Sequence, residues 1–314
     1  MIKHQLKYRT AFIVFTHSVL ALAVMVTTAM AQPATNAPGP PGPIVSLSGT
    51  VVEQLNSDFD DGGSYSVSSL LFRANVLQPV SRSTLIGLGF SYDLADYNFS
   101  NPAVFGGISP WDKIHNLTLS VPIISQLNER WSLFVSPSVA FSREFDASWG
   151  DSLAYGAVGA FSYSFRRDRK IGLGLGVFDR MNKSRVFPFI SVDWKFTEKL
   201  RLTNPLQAGP TGPAGLEIAY QIDSNWEFGA GGAYRSFRFR LDDQGIAPDG
   251  IGEQRGTLTF ARIKRSLGPN VDLNLYAGAV LGGALYLDNA NNERLVTADH
   301  AAAPLLAITF SGRL

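Results

Sequence analysis

The sequence contains no cysteine. Its absence excludes disulfide frameworks, thiolate catalysis, Cys-ligated zinc, iron–sulfur clusters and an acylated N-terminal cysteine. Histidine is nearly as scarce, at His4, His17, His115 and His300 only. The first two fall in a segment expected to be removed, so a multi-histidine metal site is excluded. Charged residues make up only 17% of the 314, against roughly 25% in soluble domains. Beyond the N-terminal segment no run is apolar for long enough to cross a bilayer as a helix. The nearest, Leu275 to Leu287, carries three glycines. Phosphate loop, nucleophile elbow and zincin motif are absent as well, and neither a metal nor an organic cofactor has a motif to hold it.

What is present begins with an export signal. Lys3, Lys7 and Arg9 form a basic start, Ala11 to Val26 is mostly apolar, and Ala29-Met30-Ala31 has the small-x-small cleavage pattern. Residues 1–31 are therefore expected to be a signal peptide cleaved after Ala31, since the apolar stretch is short for an anchor helix. Cleavage removes three bases and no acid, tipping a chain of 27 basic and 26 acidic residues to slightly acidic. Nucleic acid is not an expected partner. Residues 32–43, with five prolines among small residues, read as a stiff tether.

From Ile44 to Leu314 the text is short runs of period-two alternation. In Ile86-Gly87-Leu88-Gly89-Phe90-Ser91-Tyr92 the even positions are large and apolar while the odd ones are small or polar. Ile171, Leu173, Leu175 and Val177 alternate with Gly172, Gly174 and Gly176; Ile190, Val192 and Trp194 with Ser191 and Asp193; Leu216, Ile218 and Tyr220 with Glu217. A soluble sandwich also alternates, so the connectors must decide. Short links near 78–83, 126–130, 166–170, 197–199, 223–225 and 266–270 intervene between longer ones at 57–64, 97–111, 143–152, 179–185, 208–215, 242–252 and 288–300. Short and long turns at opposite ends are expected of a transmembrane barrel. The fold class is thus all-β, an antiparallel up-and-down transmembrane β-barrel of about fourteen strands. Twelve is the fallback, because Leu200 to Leu206 is short and contains Pro205.

Aromatic residues support the same reading. Trp131, Phe165, Trp194, Phe196, Tyr220 and Trp226 gather near the short turns on or close to the apolar parity, as in a belt at a lipid–water boundary. Tyr92, Phe141, Tyr155, Phe178, Phe239 and Tyr286 fall toward the other end. The final run, Leu306, Ile308, Phe310 and Leu314 against Ala307, Thr309, Ser311 and Arg313, resembles the C-terminal signal read by the barrel-insertion machinery of Gram-negative bacteria. Around Asn204-Pro205, Gly209-Pro210-Thr211-Gly212-Pro213-Ala214-Gly215-Leu216-Glu217, Tyr220, Trp226 and Tyr234 to Leu241, the chain resembles an outer-membrane β-barrel family whose domain has no known function. The resemblance implies a bacterial outer-membrane location, with membrane lipid as neighbour, and no activity or site residue.

Several groups are candidates for function. Gly209 to Gly215 is a rigid loop, expected as a hairpin crown, with a fold into the lumen as the alternative. Asp58, Asp60 and Asp61 lack calcium-loop spacing and read as an acidic turn, as do Asp242 and Asp243. His115 shares parity with Leu117 and faces lipid without an identifiable serine partner, so a lipid hydrolase or acyltransferase is disfavoured. Arg238, Arg240, Arg262 and Lys264 are expected to line the lumen as a basic track for small anionic solutes. The functional expectation is a passive or weakly selective channel; the alternative is a non-conducting barrel displaying its loops to partners.

Overall fold

The computed structural model describes residues 42–206, 209–210 and 215–314. The expected signal segment and most of the tether lie outside the described residues. Sixteen β-segments run in chain order. They are β1 (Ile44–Asp58), β2 (Ser64–Pro79), β3 (Thr84–Ser100), β4 (Lys113–Ser120), β5 (Ile123–Gln126), β6 (Trp131–Glu144), β7 (Leu153–Arg166) and β8 (Arg169–Arg180). They continue with β9 (Ser184–Lys195), β10 (Leu200–Thr203), β11 (Gly215–Gln221), β12 (Trp226–Arg240), β13 (Ile251–Gly268), β14 (Val271–Asp288), β15 (Arg294–His300) and β16 (Ala303–Arg313).

Two pairs of segments are single strands with a break. β4 and β5 both lie between β3 and β6, parted at Val121-Pro122, where proline has no N–H for the ladder. β15 and β16 both pair with β14. Fourteen staves result, each antiparallel to its neighbours in sequence, and β1 pairs with β16 to close the ring. Leu314 N–H donates to Val45 O at 2.9 Å across that seam. Closure at this seam pairs the two terminal strands, which an open sheet would leave as edges.

Most turns fall as the sequence predicts, short at one end and long at the other. Two depart at the long-loop end: β8 and β9 are joined by residues 181–183 alone, and the expected 288–300 link is a turn at 289–293 followed by strand β15. Outside, Leu88, Leu119, Leu173, Leu175, Val186, Ile190, Ile218, Phe228 and Leu306 are exposed large hydrophobic residues. Inside, the opposite parity packs Thr50, Val52, Leu71, Leu258, Phe260, Tyr276 and Leu305. A barrel greasy outside and mixed inside inverts the arrangement of a soluble protein. It is the expected solution where the solvent is lipid.

Candidate functional site

The interior is closed at the long-loop end by aromatic rings. Phe59 and Tyr65 come from the first hairpin, Tyr97 from β3, Phe105 and Trp111 from the β3–β4 link, and Phe239 from the top of β12; all are buried in one cluster. Trp111 meets Phe239 edge-on at 5.2 Å and Tyr97 at 5.8 Å, and Phe59 stacks on Tyr65 at 5.2 Å. Each such pair adds about 0.5–1.5 kcal/mol beyond area burial. His300 is fixed below Phe59, its ring nitrogens 2.7 Å from Tyr65 Oη and 3.1 Å from Ser57 Oγ.

A carboxylate latches this plug to the rim. Glu144, the last residue of β6, accepts Asp112 N–H at 3.1 Å and Asp242 N–H at 3.0 Å, joining two loops. It lies beyond the exposed apolar stretch of its strand. Burial pushes its carboxyl up to about 7, against the pull of those two N–H donors and with help from the Asp242 and Asp112 charges.

The wall itself is interrupted. β10 has four residues and β11 seven, whereas their outer neighbours β9 and β12 have twelve and fifteen. β10 pairs with β9 only up to Asp193, and β11 with β12 only up to Ala233. The Asn204 side chain takes over where β10 stops: Oδ1 accepts Val192 N–H at 2.9 Å and Nδ2 donates to Ile190 O at 2.8 Å and Gly215 O at 2.9 Å. The chain then turns inward. Pro210 O accepts Arg235 Nη1 at 2.8 Å, and a Cβ on Gly209 would sit 2.7 Å from Tyr276 Oη. Tyr276 is on β14, three strand spacings from β11, or about 14 Å around the wall. The described part of the Gly209 to Gly215 loop is therefore a strap inside the barrel and not a hairpin crown. Arg235 and the asparagine cap supply the hydrogen bonds that draw it in.

The lumen charges are largely compensated. Arg262, on β13, donates to Glu217 through Nε at 3.0 Å, to Glu227 at 2.6 Å and to Asn274 at 2.9 Å. Lys264 lies 3.7 Å from Glu227. Arg73 pairs with Asp93, and Arg201 with Asp193 at 2.8 Å. Arg235 makes no ion pair among the described residues. It borders a cavity of about 80 Å³ also lined by Val52, Leu71, Asp93, Phe237 and Gln254. Across the lumen Phe189 and Phe187 lie over Gly174 and Gly176, where any Cβ would come within 2.2 Å of the ring.

Arg262 and Lys264 stand on the inner face. Arg238 and Arg240 do not. Uninterrupted β12–β13 pairing keeps Gly229, Ala233, Arg235, Phe237 and Phe239 on the inside, which puts Arg238 and Arg240 on the outer parity. Arg238 is bonded to Glu253 at 3.4 Å and Asp288 at 2.9 Å; Arg240 donates to Asp151 O at 3.1 Å and Asp249 O at 2.7 Å. The four bases therefore form no single track. Arg235 is the lumen arginine that parity should have selected. Phe239 is likewise in the plug, and Phe178 turns inward to stack on Phe187.

Near the short turns, Trp131, Phe165, Phe196 and Tyr220 are exposed, Trp194 touches Phe165 at 5.6 Å, and Arg265 lies over Trp226 at 4.7 Å. His115 faces outward with Tyr92 Oη 2.5 Å from Nδ1, so a phenol and not a serine is its partner. Asp60 and Asp61 form a turn closed by Phe59 N–H on Gly63 O. Among the described residues no group of three or more acidic or histidine side chains is arranged to hold a metal ion.

A family model described as "Domain of unknown function (DUF6268)" matches residues 80–300. No curated protein matches. Among solved structures, the chain is similar to the COG4313 outer membrane channel from Pseudomonas putida F1, at 9% identity and a TM-score of 0.49, over 90% of this chain and 100% of that one. It is also similar to the Pseudomonas putida toluene transporter TodX, at 10% identity and 0.44, over 90% and 93%. The translocator domain of autotransporter NalP from Neisseria meningitidis matches at 9% and 0.36, over 95% and 97%. The barrel assignment stands on the chain's own hydrogen-bonded closure.

Proposed function

The chain belongs to the family described as a domain of unknown function (DUF6268), and from that premise we propose that it is an outer-membrane channel, weakly selective, gated by its own inward strap. The supporting observation is that strap. Loops normally run over the surface, because buried backbone must find partners; here Gly209 and Pro210 are buried inside a barrel. Among the described residues, one side-chain bond, from Arg235 of the adjacent strand β12 to Pro210 O, holds Pro210 in place. Loss of that bond would release Pro210. Its departure frees Arg235, which has no carboxylate partner among the described residues, beside the cavity. Small anionic solutes are the class such a base favours, and the compensated pairs elsewhere keep the preference weak.

The exposed apolar wall supports placement in membrane lipid, and two-ended aromatic residues support its depth. The buried aromatic plug favours a second reading, a barrel closed to flow that displays its loops. Planar-bilayer recording separates the two. A variant with residues 207–214 replaced by a short Gly-Ser link should conduct more than the wild type, with a modest anion preference that fades in high salt. Absence of conductance in that variant and in one that also lacks the Trp111 ring would favour the closed barrel.

A further inference from the structure

At the long-loop end the barrel wall is two layers thick. Because β10 and β11 stop short, the top of β12 lies inside the β8–β9 hairpin. Arg180, inward on β8, donates to Ser236 O of β12 at 3.3 Å, and Arg185, inward on β9, reaches Glu253 of β13 at 3.6 Å. From the inner layer Arg238 and Arg255 face back, and Arg294 of β15 and Lys183 of the hairpin turn close the side.

The charges between these layers do not balance. Two carboxylates, Glu253 and Asp288, stand among the six bases and pair with four of them; Glu253 takes Arg185, Arg238 and Arg255, while Asp288 takes Arg238 and Arg294. Asp179 near the end of β8 and Glu293 of the β14–β15 turn are bound by Ser184 and Asn289. Arg238 is almost wholly buried, yet its Nε has no hydrogen-bond partner among the described residues. Burial and the neighbouring Arg238 and Arg185 charges push the Lys183 ammonium below its ordinary range, with Asp288 and Glu253 opposing. Arg180 makes no ion pair among the described residues and Arg238 Nε is unpartnered, and cationic donors left so away from water are costly.

We propose that the interlayer cluster of Arg180, Lys183, Arg185, Arg238, Arg255 and Arg294 binds a phosphate-bearing anion. Phosphate suits the donors: it offers several acceptor oxygens, and guanidinium groups engage it two bonds at a time. Access is from the rim, where Arg185 and Arg294 are 42% and 34% exposed over the buried Arg238. Just below on the outer face stand exposed Tyr234 and Val186. The site therefore sits where an apolar wall gives way to charge. A lipid headgroup and a free phosphate present the same chemistry there. The site does not depend on whether the barrel conducts.

The test uses the full barrel, folded in neutral detergent, and reads the unfolding midpoint. Inorganic phosphate is compared with chloride at matched ionic strength, and micelles doped with phosphatidic acid with undoped ones. Near saturation the midpoint should rise by about 5 °C or more. The rise should vanish in Arg185→Gln/Arg294→Gln and persist in Arg130→Gln/Lys199→Gln at the short-turn end; heat-modifiable migration confirms that each variant is folded. A response to inorganic phosphate identifies a free anion, and a response to phosphatidic acid alone identifies a headgroup. No rise with either, or one that survives Arg185→Gln/Arg294→Gln, overturns the proposal.

Discussion

Replacing Arg235 with methionine removes the strap's tether while keeping a long side chain in the lumen. The bond lost is a charged donor on a backbone carbonyl, 2.8 Å between Nη1 and Pro210 O, inside the barrel. Hydrogen bonds to charged groups contribute about 1.5–3 kcal/mol net. A tenfold change in an equilibrium takes about 1.4 kcal/mol, so the released population should rise by roughly 10- to 150-fold. Two measurements see it. Because the chain has no cysteine, Pro210→Cys provides a single thiol on the strap. Its rate of reaction with a hydrophilic maleimide should increase by that factor when Arg235→Met is added. Open probability in planar bilayers should increase in parallel, while Arg235→Lys, which keeps charge but not the planar fork, should fall between. If the thiol reacts no faster in Arg235→Met, the bond does not hold the strap and the gating argument fails. If it reacts faster while conductance stays flat, the strap moves but does not gate.

Three further outcomes test other links. Trp111→Ala removes a buried ring that meets Phe239, Tyr97, Phe99 and Phe105; it should cost about 3–5 kcal/mol in urea unfolding and increase leak current, and an unchanged midpoint would mean that the plug is loosely packed. Glu144, with its carboxyl raised to about 7 in the fold, should stabilise the cap fully below its unfolded value near 4.5 and lose that contribution as pH rises through 7. The difference is at most about 3.4 kcal/mol; amide protection factors of the 103–112 and 242–250 loops, corrected for the intrinsic rise of exchange with pH, should fall over that range in the wild type but not in Glu144→Gln. Leu88→Arg and Leu173→Arg, at side chains 69% and 75% exposed on the outer wall, should impair insertion by about 2–4 kcal/mol, whereas Ser191→Arg, facing inward, should cost less; equal penalties would reverse the face assignment.

The strands and their faces were legible where the chain passes the apolar band, because lipid imposes one rule along the whole wall. Leu88, Leu173 and Ile190 obey it. The rule fails higher up. In Tyr234 to Arg240 the apolar face crosses over: Tyr234 is outside, but Phe237 and Phe239 point in and Arg238 points out. Beyond the band the outer face meets water and charge, and the aromatic surface is buried only by entering the plug. Following charge and not strand parity therefore misplaced Arg238 and Arg240. β14 makes the same crossing with a bulge at Gly282, φ 55°, after which Leu285 and Leu287 face inward. The shortness of β10 was visible in Leu200 to Leu206 and Pro205. Its result, a strap drawn inside by Arg235, was not, since no local pattern specifies a contact between Pro210 and a strand begun sixteen residues later.

The seam between β1 and β16 also governs how the molecule is made. Val45 and Leu314 meet there, and Thr50 Oγ1 lies 2.8 Å from Thr309 Oγ1 across 259 positions of sequence. Hairpins can zip locally, but this pairing waits for the entire chain, and loop-closure entropy must be met before any bond of the seam forms. Until then two strand edges stand open, each a template for another chain. Assembly should therefore be slow in its last step, and mutations at Thr50, Thr309 or Ile308 should show themselves first as aggregation during biogenesis, with the finished barrel little changed.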